Sequence, residues 1–196
     1  MIVGYHVIFG AYGFWLPNDP RGSWSDFVGS WELFRYGPAT KTTERRSVAR
    51  RPHDRALRLA AKKSLQRTAV KFTGLQARAI GRGFAQYVER SRLQVWACAV
   101  LPDHVHLVVG PSRFAVRQLV IQLKGDATEK LLEEKIHPFE HLKAKRSRVP
   151  KCFARGEWKV YLDPEDVPRA IRYVELNPEK EGLRRQRWSF VSRPRL

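Results

Sequence analysis

Two apolar, β-rich runs, LQVWACAVL (93–101) and VHLVV (105–109), are joined by a Pro102-Asp103 turn. Runs of this kind so close together read as a β-hairpin, so the sheet they belong to is antiparallel at that point. The remaining segments must fit around it. IVGYHVIF (2–9) reads as a first strand, AVKF (69–72) and the aromatic WKVYL (158–162) as short ones. A helical, strongly basic stretch runs from Arg55 to Gln66. Thr73, with Gln76 three residues on, carries a capping-box signature and opens a helix to about Ser91, with Leu75, Ala79, Phe84, Tyr87 and Val88 as its apolar positions. Residues 113–136 repeat helically, with Val116, Leu119, Val120, Leu123, Leu131 and Leu132 on one stripe. The last helix has Asp163 as N-cap, Pro164 in the first position and Glu165 and Asp166 near the positive end of the dipole. It is expected to stop at Asn177, because Pro178 disfavours the α conformation in the residue before it. The order β-α-β-β-α-(β)-α predicts an α+β fold, an antiparallel sheet flanked by helices.

A chain of 196 residues suits one domain, and 43% hydrophobic residues give it material for a core. The charge narrows the partners: 37 Lys and Arg against 19 Asp and Glu leave +18, with a pI near 10.6. That excess repels itself unless an anion balances it, and a nucleic-acid backbone is the usual anion. Residues 41–92 hold fifteen of the basic residues and three acids. Residues 25–66, which carry no clear period at their start and end in this Arg-rich tract, are read as an inserted basic arm. No apolar run approaches the roughly 20 residues of a spanning helix, and the N-terminus lacks a signal-peptide pattern, so the expected location is cytoplasmic and no membrane is involved. Cys98 lies in an apolar strand pattern and Cys152 beside a basic loop; neither has a Cys-x-x-Cys partner.

His104 and His106 stand at i and i+2 at the start of a strand, so both imidazoles point to one face. Two neutral imidazoles side by side can hold a divalent metal, although packed strand-end histidines are the commoner outcome for a lone His-x-His. Tyr173 and Asn177, at i and i+4, share a face of the last helix, while Val167, Ala170, Ile171 and Val174 lie largely on another. Tyr173 thus falls at the edge of the buried stripe, either bridging core and water or placing its hydroxyl in a cleft. Asn177 suits a helix C-cap, a role compatible with metal ligation through its side-chain oxygen. Arg169, one turn before Tyr173, and Arg172 could stabilise a phenolate or hold a phosphate; a solvated basic face accounts for them equally well. Lys151, Arg155, Trp158 and Lys159, just before the last helix, combine cations with an aromatic on which a base can stack. His6 on the first strand could approach a metal but reads as a satisfied core histidine, and His53, His137 and His141 have no partner at metal spacing.

LPDHVHLVV (101–109), followed by IRYVELNPEKEGL (171–183), resembles the single-tyrosine HUH transposases, and within them the REP-associated tyrosine transposases, with a His-hydrophobic-His strand and then a Tyr-x-x-x-Asn-Pro helix. The segment GFWLPNDPRG (13–22) is similar to a motif of related transposases. The resemblance covers most of the chain and is weakest over 25–66. It implies His104 and His106 as metal ligands, Asn177 as the third (some relatives carry Gln there) and Tyr173 as nucleophile. It also implies magnesium or manganese as cofactor, single-stranded or hairpin DNA as partner, a homodimer, and a 5′-phosphotyrosine intermediate in strand cleavage and rejoining. The competing readings are a replication-initiator-type HUH nuclease and a non-catalytic, domesticated nucleic-acid-binding protein.

Overall fold

β1 (Gly4–Gly10) and β3 (His104–Val109) pair antiparallel from Tyr5 opposite Val109 to Gly10 opposite His104. β2 (Val95–Val100) adds to the far side of β3 and β4 (Trp158–Leu162) to the far side of β1, giving the order β2-β3-β1-β4, antiparallel throughout. The structure is a computed structural model that describes residues 1–17, 19, 28, 31–37, 52–145 and 148–194. Five helices accompany the sheet among these residues: α1 (Trp31–Phe34), α2 (Arg55–Lys63), α3 (Gly74–Ser91), α4 (Val116–Glu133) and α5 (Asp166–Lys180). This is the α+β architecture, antiparallel sheet and flanking helices, that the hairpin and the helical periods predict. Much of the proposed arm 25–66, residues 38–51 included, and part of the 13–22 motif lie outside the described residues. No helix among the described residues is long and apolar enough to cross a membrane.

Alternation along the strands divides the interior in two. Val7, Phe9, Val105, Leu107 and Val109 face α3 and α4, joining Ile80, Phe84, Leu123 and Leu131 in the larger core. Trp96, Ala97, Ala99, Val108 and Leu162 face the other way and pack with Val167, Ala170 and Val174 of α5. A register shift between Val95 and Ala97 in β2 lets Trp96 and Ala97 lie on this same α5 side. α3 starts as read: Gln76 N–H donates to the Thr73 hydroxyl, and Thr73 N–H donates to the Gln76 side-chain oxygen.

Three expectations need correction. Residues 69–72 form no strand; Val70 N–H donates to the Tyr12 carbonyl and Phe72 N–H to that of Pro102, so Val70 and Phe72 are buried while the backbone bonds to loops instead of joining the ladder. α4 is shorter at both ends than 113–136, and Leu132 is only half-buried. α5 begins at Asp166, because Asp163 to Glu165 form a turn, and it runs through Pro178 to Lys180. A proline so near a helix end removes a single backbone bond, and here its ring is buried. The helix closes one turn later, where Leu183 N–H reaches the Pro178 carbonyl and Gly182 N–H that of Glu179, with Gly182 at φ 72°.

The C-terminal segment, which its composition leaves unassigned, covers the outer edge of β2. The Gln186 side chain both donates to the Val100 carbonyl and accepts from its N–H, each at 2.8 Å. Trp188 Nε1 donates to the Cys98 carbonyl, and Ser192 N–H to that of Val95. Unpaired edge groups that would template aggregation are thereby occupied.

α3 and α4 approach closely at Gly83, where an added Cβ would lie 2.6 Å from the Asp126 carbonyl oxygen and the Ala127 Cα. Alanine is normally the better helix residue. Gly83→Ala is nevertheless expected to destabilise by about 1–3 kcal/mol through overpacking. A urea titration in which the variant matches or exceeds the parent would contradict this packing.

Candidate active site

The sheet face covered by α5 carries three histidines. His106 is opposite Ile8 and His6 opposite Val108, so alternation sets His6 and His106 diagonally across neighbouring strands, with His104 two residues before His106. His6 and His106 are buried; their rings stack 5.2 Å apart, with His6 Nε2 3.0 Å from His106 Nδ1. The rings of His104 and His106 are 4.7 Å apart and steeply inclined. His104 Nδ1 donates to the Asp103 carboxylate at 2.7 Å, and the ring of Phe14 stacks on it at 4.6 Å and 12°.

α5 brings Tyr173 over this group. Its ring stands edge-on to His106 at 5.7 Å and to His6 at 5.8 Å, yet the residue keeps 44% of its surface exposed. Burial raises the phenol pKa, the neighbouring Asn177 amide opposes that shift, and Glu181 adds to it. Lys180 places its ammonium 4.7 Å from the centre of the Tyr173 ring. Asn177 is buried one turn before the helix end, and its amide nitrogen has no hydrogen-bond partner among the described residues.

Both imidazoles of the His-x-His pair engage a neighbour through Nδ1, which leaves Nε2 of each as the atom able to ligate. Two neutral imidazoles on one strand face are the kind of donor that binds a divalent metal, and the buried carboxamide of Asn177 lies one turn beyond Tyr173 on the helix packed against that face. Among the described residues, no group of three or more His, Cys, Asp or Glu is placed to hold a metal ion. Burial holds His6 at a pKa of about 4. Burial, with the nearby His104 and His106 partner His6, pushes His106 well below its ordinary value. Both rings are therefore neutral at physiological pH, the form in which imidazole ligates.

The surrounding basic residues divide. Arg169 is exposed and paired with Asp166, and Arg172 is exposed, so both stand outside the buried cluster. Trp158 lies at the cluster's edge, its ring 6.4 Å from that of His6. Lys159, next along β4, points to the opposite sheet face, over the Tyr161 ring at 5.5 Å. Lys151 and Arg155 are exposed on the loop before β4. Lys124 of α4 holds that loop by donating to the carbonyls of Ala154 at 2.9 Å and Gly156 at 2.7 Å. Burial lowers the Lys124 pKa to about 8; Glu157 opposes the shift and Lys151 adds to it.

Sequence reasoning gives no site role to Asp103, which reads as a turn residue, to Phe14, or to Lys180, which lies beyond the helix end expected at Asn177. The contact between His6 and His106 depends on pairing two strands a hundred residues apart, which no local pattern records.

Among solved structures, the chain is similar to the REP-associated tyrosine transposase bound to a REP hairpin, at 11% identity, covering 93% of this chain and 70% of that one with a TM-score of 0.47. It is also similar to a candidate transposase from Deinococcus radiodurans R1, at 15% identity, covering 89% of this chain and 90% of that one with a TM-score of 0.38. No family model matches the chain, and no curated protein matches it in sequence.

The buried histidines make stability depend on pH. A base whose pKa is depressed by folding takes up its proton more readily in the unfolded chain, so its contribution is complete above about pH 6.5 and is lost as the pH falls toward 4. The urea midpoint is expected to drop between pH 7 and pH 5, with a slope of up to about 1.4 kcal/mol per pH unit for each such group. A midpoint unchanged over that range would mean that His6 and His106 are not buried as neutral rings.

Proposed function

We propose that the protein is a single-strand DNA endonuclease and transposase in which Tyr173 attacks a phosphodiester next to a divalent metal, magnesium or manganese, held by His104, His106 and Asn177. The observation that carries this reading is the meeting of β3 and α5: the Tyr173 ring lies 5.7 Å from that of His106, with Asn177 one turn further along the same helix face. The order and spacing of the two motifs, His-x-His and then Tyr-x-x-x-Asn-Pro, support it from the sequence side.

A bound divalent cation would neutralise charge on the anionic phosphodiester and on the oxygens that gain charge during attack. The remaining work belongs to the chain. The Tyr173 hydroxyl loses its proton as its oxygen bonds to phosphorus; the bond from phosphorus to the 3′-oxygen breaks, and that oxygen takes up a proton. The products are a 5′-phosphotyrosine and a free 3′-hydroxyl. Because the linkage is a phosphodiester exchanged for a phosphodiester, attack by a 3′-hydroxyl can reverse it and join strands. Burial and Glu181 favour the phenol, and the Asn177 side chain opposes them. Arg169 and Arg172, exposed on the same helix as Tyr173, could hold the strand's phosphates, and Trp158 offers a ring for a base.

The net charge of +18 supports nucleic acid as the partner, and the motif resemblance supports single-stranded or hairpin DNA. A homodimer and a cytoplasmic setting belong to the same reading. Affinity for single-stranded DNA is expected to fall by orders of magnitude between 50 and 200 mM salt, as for proteins that neutralise several phosphates. Binding that is flat over that range would count against a phosphate-dominated interface.

The catalytic test is a labelled hairpin DNA incubated with manganese or magnesium and analysed for a covalent protein–DNA adduct. Tyr173→Phe removes one oxygen and is expected to keep DNA affinity while abolishing the adduct. His104→Ala is expected to abolish cleavage and also weaken metal binding. Cleavage by the parent should quicken as the pH rises above neutrality, because the phenol pKa is raised. DNA binding without cleavage under either metal would make the protein a non-catalytic binding module.

A further inference from the structure

His6 is a buried polar side chain in the middle of β1, where an apolar residue would fill the space without needing a hydrogen-bond partner. Among the described residues its neighbour at bonding distance is His106: Nε2 to Nδ1, 3.0 Å, between rings inclined by 27°. It also meets the rings of Tyr173 and Trp158, so β3, β4 and α5 each contribute an aromatic ring around it.

One proton lies between the two facing nitrogens, and its owner decides what His106 can do. If His6 holds it, His106 accepts at Nδ1 and must carry its own proton on Nε2, which closes that atom to a metal. If His106 holds it, His6 accepts, and Nε2 of His106 presents a lone pair to the cleft. His104 settles the same question through Asp103, whose carboxylate can only accept, so Nδ1 of His104 carries the proton and its Nε2 is free.

We infer that His6 is a positioning residue that accepts the Nδ1 proton of His106, fixing both the tautomer and the ring orientation in which His106 ligates the metal. This rests on the metal reading proposed above. It assigns the two ligands different supports, a carboxylate from the adjacent turn for His104 and a neutral imidazole from the next strand for His106. Groups that orient metal-bound histidines through the second ring nitrogen have this effect on affinity elsewhere.

The test uses the full chain without DNA. Long-range proton–nitrogen spectra of protein labelled with 15N-histidine are expected to place the His106 proton on Nδ1 and leave its Nε2 bare. In manganese titrations, His6→Ala is expected to weaken affinity by roughly 10- to 100-fold while metal-free DNA affinity stays unchanged. His6→Gln, whose side-chain oxygen can accept the same proton, is expected to recover part of that loss, which a mere packing role would not predict. Urea unfolding of both variants confirms that they are folded at the titration temperature. The inference is overturned if His106 carries its proton on Nε2 in the parent, if His6→Ala keeps metal affinity to within about twofold, or if folded His6→Gln is as impaired as His6→Ala. A parent that binds neither manganese nor magnesium ends the metal reading instead, and the spectra still decide whether His6 sets the His106 tautomer.

Discussion

Antiparallel pairing of β1 with β3 is the contact on which the rest of the molecule depends. It places Ile8 opposite His106 and Gly10 opposite His104, and with a two-residue alternation that choice sends Val7, Phe9, Val105 and Leu107 to one side and the histidines to the other. A slip of one residue between these strands would put the imidazoles into the α3–α4 core and the apolar side chains under α5. The large hydrophobic core therefore enforces the register of the site without touching it. α3 and α4 pack so closely at Gly83 that this core has little freedom to shift.

The opposite face is built on a different principle. Its apolar cluster is small and lies toward β2, where Trp96, Ala99 and Val108 receive Val174 and Ala170 of α5. Toward β1 the same helix meets polar rings instead. Burial strips the charge from His6 and His106 although the chain as a whole carries +18, so a neutral donor cluster sits inside a cationic protein. The two properties serve different ranges. Long-range positive potential draws a polyanion in, and short-range lone pairs are what a cation needs. Tyr173 sits at the boundary, its ring against the histidines and almost half of its surface open.

Edges and loops are held by single, well-placed side chains. Lys124 reaches from α4 to two carbonyls of the loop before β4, so the exposed Lys151 and Arg155 ride on an anchored segment. Gln186 imitates a strand residue at the edge of β2 with both ends of its amide. Phe14 lies flat on His104, tying the aromatic loop after β1 to the start of β3. Each of these contacts spans more than twenty residues of chain.

That distance explains what could be read in advance. The hairpin at Pro102-Asp103, the Thr73 capping box and the helical stripe of α4 rest on neighbours within a few residues, and local geometry suffices to specify them. His104 and His106 on one strand face, and Tyr173 and Asn177 on one helix face, follow from the periods of strand and helix in the same way. Residues 69–72 have the composition of a strand, but their partners turned out to be loop carbonyls, a matter of where the chain passes. Pro178 read as a stop, and its burial with the turn at Gly182 carried α5 on to Lys180, which is how a cation came to lie over Tyr173. His6 looked like an ordinary core histidine because nothing within reach of it in the chain says otherwise. The sequence by itself determined which side chains share a face within each element, since that needs only the helical and strand repeats. Which faces meet, and hence that His6, His106 and Tyr173 form one cluster, was decided by strand pairing and helix packing between segments far apart in the chain.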